Sequence, residues 1–151
     1  MKTIIAPVDF SEASANALSF AAELSKRAAA RLIVINILQK GESELETKNK
    51  LRSIESELKN TFGPDLQCES SLEQGDLINT LKKIIEAQQP DLIVMGTKGA
   101  SGLKKILMGS NTVNVIANTK VPVLVIPEAA KFENFLMQGK NTIVLATGLD
   151  L

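Results

Sequence analysis

Short apolar runs alternate with longer amphipathic stretches along the first 127 residues. The runs carry few polar positions, as is typical of strands buried on both faces of a sheet. They span residues 3–8, 31–38, 67–72, 91–95 and 121–126, and the third is the weakest. Apolar residues between them recur every three or four positions, which predicts helices. Strand and helix alternate four times before the fifth strand, so the pattern predicts a parallel sheet covered by helices on both faces.

Helix boundaries can be predicted from polar and turn-forming residues beside the periodic stretches. Ser11 and Asp76 are expected to cap two helix starts with their side-chain oxygens. Gly63-Pro64 and Gln89-Pro90 are expected to end two helices. The predicted helices span residues 12–30, 42–62, 77–88 and 111–118. In the last of these, three apolar residues fall at helical spacing: Val113, Ile116 and Ala117.

A glycine-rich stretch separates the fourth strand from the fourth helix. It reads GTKGASGLKKILMGS from Gly96 to Ser110, with three glycines in its first seven positions. Glycines let a ligand approach the backbone without meeting a Cβ atom. A helix start presents unpaired N–H groups and the positive end of the helix dipole. The stretch is therefore predicted to hold the phosphates of a nucleotide. Ligands of doubly wound sheets bind where the strand order reverses, so Asp9 is expected to share that crevice.

Composition narrows the class of protein. The 151 residues fit one domain, and 44% of them are apolar. Basic and acidic residues balance at 17 each, so no nucleic-acid or anionic-membrane surface is indicated. The apolar runs are too short to span a bilayer. A single cysteine and no histidine exclude an intrachain disulfide framework and the usual zinc sites. We expect a cytoplasmic protein.

Two common nucleotide motifs are absent. No Walker A pattern can be drawn through the glycine-rich stretch, and the dinucleotide fingerprint belongs after the first strand, where no glycine occurs. The spacing that remains is Gly96-x2-Gly99-x9-Gly109-Ser110. It resembles the universal stress protein family, whose nucleotide-binding members carry this pattern after the fourth strand. The opening IIAPVDFSEAS and the closing VPVLVIP also resemble that family, so the resemblance covers residues 1–127.

The resemblance implies a fold and a ligand. The fold is an adenine nucleotide alpha hydrolase-like sheet of five parallel strands in the order 3-2-1-4-5. The ligand is ATP, or AMP or ADP, with Mg²⁺ beside the phosphates. Asp9 is implied to contact the adenosine, the backbone of Ile37 the adenine, and Gly96 the ribose. The remaining implied contacts are phosphate contacts from Gly99, Gly109, Ser110 and the amide of Asn111, and a crevice lining from Ala6 and Pro7.

Several of these residues also have plainer interpretations. Asp9 could only cap the turn that follows it, and Gly99 could only shape a surface loop with its neighbour Gly102. Ser110 is expected both to cap its helix and to bind phosphate. The nearby lysines are most simply read as solvated, and Cys68 as a small buried hydrophobe. These lysines are Lys98, Lys104 and Lys105.

The chain continues beyond the predicted domain. Residues 140–151, KNTIVLATGLDL, resemble residues 2–10, KTIIAPVDF. This similarity predicts an extra strand that begins a second, truncated repeat and pairs with a sheet; chance similarity is the alternative. The connector 128–139 places Phe132, Phe135 and Leu136 at helical spacing, so a helical turn docked on a domain is expected.

The leading functional hypothesis is an ATP-binding regulatory module of the stress response that acts through a homodimer. No catalytic residue is identified, because no histidine or carboxylate is evidently placed beside the loop to orient a water molecule. Hydrolysis should be slow at most. The alternative is a nucleotide-free dimerisation and interaction module of the same fold. A phosphoacceptor switch lacks the required aspartate after strand three, and a serine hydrolase lacks its G-x-S-x-G elbow.

Overall fold

The computed structural model describes residues 1–97 and 109–132, and strand and helix alternate along them as predicted. The elements, in chain order, are β1 (Thr3–Pro7), α1 (Glu12–Ala28), β2 (Arg31–Ile37), α2 (Glu44–Phe62), β3 (Cys68–Glu73), α3 (Leu77–Gln88), β4 (Leu92–Thr97), α4 (Ser110–Asn118) and β5 (Val123–Pro127). The predicted extra strand at 140–151 lies outside the described residues, as do positions 133–139 of the connector.

The five strands form one parallel sheet in the order β3-β2-β1-β4-β5, which confirms the expected topology. β1 lies at the centre: Ile5 is aligned with Ile33 of β2 on one side and with Ile93 of β4 on the other. From β1 the chain adds β2 and β3 on one side of the sheet, and it then adds β4 and β5 on the other side. The gap between the carboxyl ends of β1 and β4 is therefore the switch point at which such folds bind ligands.

Each face of the sheet carries its own apolar core. Ile4 contributes to the core under α1 and α2, whereas its neighbour Ile5 contributes to the core under α3 and α4. Successive side chains of a strand point to opposite faces. Because both faces are covered, most positions of β1, β2, β4 and β5 are apolar, whereas the edge strand β3, CESSLE, is mostly polar. This explains why those four strands could be recognised as continuous apolar runs. Cys68 is buried in the first core, as expected, and burial raises the pKa of its thiol to about 11.

Of the four helices in the described ranges, three begin with a side-chain cap. Ser11 accepts the Ser14 N–H at 3.2 Å, and Asp76 accepts the Asn79 N–H at 2.9 Å, so both predicted caps are confirmed. Ser43 caps α2 in the same way. α2 consequently begins two residues later than the sequence pattern suggested.

The fourth helix forms where it was predicted, over Ser110–Asn118, but it begins differently. Its N-cap is Gly109, which has no side-chain cap bond, so Ser110 is the first helical residue and its predicted role as the cap is wrong. Of the three apolar residues at helical spacing, only Ile116 packs against the core, and Val113 is 45% exposed. The buried positions are Thr112 and Val115, because the helix turns that side toward β4.

The first part of the connector is docked on α1. The Asn16 Nδ2 atom donates to the carbonyl oxygens of Pro127, Glu128 and Ala130 at 3.0, 3.2 and 3.0 Å. Phe132 packs edge-to-face on Phe20, with ring centroids 5.1 Å apart. This portion of the predicted docked connector is therefore confirmed. Phe135 and Leu136 lie outside the described residues.

Candidate functional site

A cleft of about 540 Å³ opens at the carboxyl ends of the central strands. The residues that follow β1, β2, β3 and β4 meet there because parallel strands end at the same edge of the sheet. The start of α4 closes one side of the cleft, and the turn between β1 and α1 forms another. Asp9 and Gly96 both line it, so the expected sharing of one crevice is confirmed.

Most of the site residues predicted from the sequence come together in this cleft. Those that line it are Pro7, Asp9, Ile37, Gly96, Gly109, Ser110 and Asn111. Ala6 is not among them: it is only 1% exposed and packs in the core on the α1 side. Gly99 lies outside the described residues, as do Gly102 and the three lysines of the same stretch.

The β1–α1 turn holds the Asp9 carboxylate in a fixed position. Its Oδ1 atom accepts the Ser11 N–H at 3.0 Å and the Ser11 hydroxyl at 2.5 Å. Partial burial alone would raise the pKa of Asp9, but the hydrogen bonds from Ser11 and Ser14 outweigh it and hold that pKa below its ordinary value. Asp9 therefore caps the turn and also presents an ionised carboxylate to the cleft.

Gly96 lets α1 approach β4 closely. A Cβ atom at this position would lie 2.3 Å from the carbonyl oxygen of Ala13 and 3.1 Å from the Ser14 amide nitrogen. No real Cβ tolerates the first distance, so a side chain here would force the helix away from the strand. The glycine predicted to lie near a ribose is thus also required for packing.

The start of α4 is open to the cleft. No described atom lies within 4 Å of a Cβ built on Gly109. The first intrahelical hydrogen bond runs from the Val113 N–H to the Gly109 carbonyl at 3.1 Å, so the preceding amides have no intrahelical acceptor. The Thr112 hydroxyl donates to the Gly96 carbonyl at 3.0 Å and fixes the helix to β4. A positive helix end without a capping oxygen suits an anion.

The carboxyl end of β2 supplies polar groups that the sequence analysis missed. Asn36 is 4% exposed, yet it lines the cleft and donates from Nδ2 to the Val8 carbonyl at 2.9 Å. Gln39 donates from Nε2 to the Ile37 carbonyl at 2.9 Å. An amide inside the apolar run RLIVINIL was the available signal for Asn36. Gln39 carried no comparable signal, because it lies in a polar loop.

Charge is distributed unevenly around the cleft. The acidic residues Asp9, Glu42 and Asp76 line it. Glu42 accepts the Gln39 N–H at 2.8 Å, and Asp76 caps α3, so these two carboxylates serve as local acceptors, as Asp9 does for Ser11. The start of α4 carries the opposite, positive polarity. Within the described parts of the chain, no three His, Cys, Asp or Glu side chains come together to hold a metal ion.

These features define a doubly wound α/β domain with an uncapped helix start at its switch point. The sequence model of the universal stress protein family matches residues 1–127, and the chain belongs to this family. It is 30% identical to universal stress protein MJ0531 of Methanocaldococcus jannaschii over 86% of this chain and 84% of the relative. It is 28% identical to MJ0577 of the same organism over 83% and 94% of the two chains.

Solved structures show the same fold. The structure of MJ0577 superposes with a TM-score of 0.63 at 30% identity, over 86% of this chain and 98% of that one. A universal stress protein in complex with cAMP superposes with a TM-score of 0.69 at 23% identity, over 85% and 98%. Among the described helices, none combines the length and apolarity needed to cross a membrane.

Proposed function

We propose that this protein binds ATP, or AMP or ADP, in the cleft and acts as a nucleotide-dependent regulatory module of the stress response. The observation that carries the proposal is the start of α4, where Gly109 leaves helix amides without a side-chain cap beside a cleft. A phosphate group would supply the acceptors that the helix lacks. One solved universal stress protein of the same fold holds cAMP, itself an adenine nucleotide.

The charge distribution favours one orientation of the nucleotide. The phosphates would lie at Gly109, Ser110 and Asn111, and we assign Gly99 to them as well. Asp9 would repel phosphate but can accept hydrogen bonds from ribose hydroxyls or the base, so the adenosine belongs at its end of the cleft. Pro7 and the Ile37 backbone would border the base, and Gly96 the ribose.

Magnesium would arrive with the nucleotide. Mg²⁺ keeps several water ligands and is commonly held by substrate phosphates with one or two carboxylates. The described residues offer no dedicated metal cluster, which is consistent with an ion held mainly by the phosphates. None of the described residues lining the cleft is a histidine. We therefore expect slow hydrolysis at most, and a role based on binding.

Dimerisation is the second element of the proposal. β5 pairs only with β4 within the described sheet, so its other edge is available to a second copy. Leu124 and Val125 are only partly buried on this strand. A nucleotide-free dimerisation module is the alternative function that this edge supports. We further propose that residues 140–151 begin a second repeat, and that the protein acts in the cytoplasm.

Titration calorimetry on the 151-residue protein tests the function. ATP should bind with a Kd at or below about 100 μM (about −5.5 kcal/mol), and cAMP, ADP and AMP should compete for the same site. GTP should bind at least tenfold more weakly, and inorganic tripolyphosphate should not replace ATP. Absence of ATP binding in the presence and absence of Mg²⁺ would refute the proposal. A dimer in sedimentation that forms without nucleotide, combined with that absence, would favour the alternative.

A further inference from the structure

The hydrogen-bond ladder between β1 and β2 stops before β2 does. The backbone N–H and carbonyl groups of the odd-numbered β2 residues point toward β1. The Arg31 N–H donates to the Lys2 carbonyl and the Ile35 carbonyl accepts the Val8 N–H, both at 2.8 Å. Backbone groups of a parallel strand alternate in direction. The backbone groups of Ile37 must therefore point toward β1 as well. If the ladder continued, the Ile37 N–H would donate to the Val8 carbonyl. No backbone hydrogen bond among the described residues makes that connection.

A side chain takes the place of the missing ladder bond. The Asn36 Nδ2 atom donates to the Val8 carbonyl at 2.9 Å. Because that carbonyl is satisfied by Asn36, the chain can leave β1 at Val8 and turn into Asp9 without an unpaired buried acceptor. The Asn36 Oδ1 atom is buried and has no partner among the described residues. A buried amide with an unpaired oxygen costs stability, so a plain packing role does not explain it.

We propose that Asn36 is a positioning residue that ends the β1–β2 ladder and so keeps the Ile37 backbone available to the edge of an adenine base. The inference rests on the proposed function and deepens it by naming what selects the base. Within the described ranges, the Ile37 N–H has no ladder partner, and the Ile37 carbonyl, with two lone pairs, accepts only from Gln39 Nε2 at 2.9 Å. Both groups belong to a residue that lines the cleft.

This pair of backbone groups discriminates between purines. Adenine presents an acceptor at N1 beside a donor at its 6-amino group, which complements one N–H and one carbonyl. Hypoxanthine and guanine present a donor at N1 beside an acceptor at O6. In the same position, the donor would face the Ile37 N–H and the acceptor would face the Ile37 carbonyl. Buried polar groups left unpaired in this way disfavour the wrong ligand strongly. Asn36 contributes without touching the base: its side chain, rather than the Ile37 N–H, is bonded to the Val8 carbonyl, and this leaves that N–H to the ligand.

Amide hydrogen exchange in the ligand-free protein tests the ladder itself. In the wild type, the Ile37 amide should exchange at least tenfold faster than the Ile35 amide. Asn36→Leu has a similar volume but no donor, so the Val8 carbonyl becomes free to accept the Ile37 N–H. Protection of the Ile37 amide should then rise at least tenfold. Equal protection of both amides in the wild type, or no change in the variant, would overturn the proposal.

Nucleotide binding tests whether Asn36 contributes to the selection of adenine. Asn36→Leu should weaken ATP binding at least tenfold and reduce the preference for ATP over ITP, whereas Asn36→His, which keeps an N–H donor, should restore part of both. Ser25→Ala is the matched control, because Ser25 is another buried residue with an unpartnered oxygen but lies outside the cleft. It should leave ATP affinity and the preference unchanged. An unchanged ATP to ITP ratio in Asn36→Leu overturns base selection by Asn36.

The two tests separate the inference from the function on which it rests. If wild-type protein fails to bind ATP while the Ile37 amide behaves as expected, the proposed function and the base-selecting role both fall. The ladder-ending role of Asn36 is then supported alone. If ATP binds but the Ile37 amide is protected in the free wild type, the function is supported and the inference about Asn36 is wrong.

Discussion

Two helices, α1 and α4, begin beside the same cleft, each after one of the two central strands, and they begin in opposite ways. α1 starts behind Asp9 and Ser11, and the Ser11 side-chain oxygen accepts one N–H of its first turn, that of Ser14. The Asp9 carboxylate lies at the same end and also accepts two hydrogen bonds from Ser11. α4 starts at Gly109, with no side-chain cap. The topology that creates the two starts is the same, and only the local residues differ.

The difference identifies which helix start is suited to an anion. A carboxylate already compensates the positive end of α1, so a phosphate there would meet like charge. The start of α4 lacks such a group among the described residues, and its first amides remain available. The same cleft therefore has one end that repels phosphate and one that attracts it. The contrast predicts both the binding site and the orientation of a nucleotide, and it can be tested by changing one start at a time.

The largest expected effect comes from Gly96→Ala, which separates α1 from β4. The added Cβ would lie 2.3 Å from the Ala13 carbonyl oxygen, which is backbone and cannot rotate away. We expect a loss of at least about 3 kcal/mol in the free energy of unfolding, at the upper end for overpacked sites. Urea denaturation followed by circular dichroism measures it.

Gly109→Ala is the matched control for that substitution. Its Cβ would meet no described atom within 4 Å, and φ is −63° with ψ at 153°, which alanine adopts readily. Its effect on stability should stay below about 1 kcal/mol, since alanine is only a poorer N-cap residue than glycine. Similar losses in both variants would show that the close approach of α1 to β4 is not what requires Gly96.

Gly109→Asp makes the two helix starts alike. A carboxylate at the N-cap should stabilise α4 by about 0.5 kcal/mol, because it accepts a free amide and compensates the dipole. The same carboxylate would occupy the proposed phosphate position, and we expect ATP affinity to fall roughly 100-fold, or about 2.7 kcal/mol. Calorimetry and urea denaturation of one preparation measure both quantities.

Gly109→Ser separates capping from charge. It supplies a neutral cap oxygen without the charge, so it should give only part of the stability gain of Gly109→Asp and lose less ATP affinity. The contrast between the two helix starts is supported if Gly109→Asp raises the free energy of unfolding while it lowers the ATP affinity. A Gly109→Asp variant that binds ATP as tightly as the wild type would place the phosphates elsewhere and remove the functional meaning of the contrast.

The sequence predicts the fold well because both cores require apolar residues in four of the five strands, β3 being the mostly polar exception. Residues such as Ile4 and Ile5 are apolar in succession only when both faces of a sheet are covered. The site is predicted less completely. The glycine spacing indicated where α4 begins, but not that Gly109 rather than Ser110 is its N-cap, since both residues are acceptable caps and the choice depends on how the helix meets β4. Asn36 was missed because its hydrogen bond to Val8 depends on strand pairing.

A pair of serine substitutions compares the two starts directly. Ser11→Ala removes the cap of α1 and one of the donors to Asp9, and it should cost about 1 kcal/mol of stability. Ser110→Ala, at the first position of α4, removes no cap and should cost less than about 0.3 kcal/mol, because alanine is a good helix former. Urea midpoints of the two variants and the wild type give the comparison. Equal losses would mean that the start of α4 depends on Ser110 after all.

The smallest expected effect is a difference in acid sensitivity between the wild type and Asp9→Asn. Partial burial raises the pKa of Asp9, but hydrogen bonds outweigh it and hold that pKa below its ordinary value of 3.8, so the unfolded chain binds this proton more readily than the folded one. The contribution of Asp9 to the free energy of unfolding is fully present above its pKa in the unfolded chain. It is lost as the pH falls through the lower pKa that Asp9 has in the folded protein. Asp9→Asn keeps an acceptor for Ser11 but has no such dependence, so its unfolding free energy should fall less steeply as the pH falls below about 4. Asp76 and Asp91, whose pKa values are also lowered, contribute equally to both proteins and do not affect the difference. Parallel curves would show that the start of α1 is held by the Ser11 cap alone, without help from the Asp9 charge.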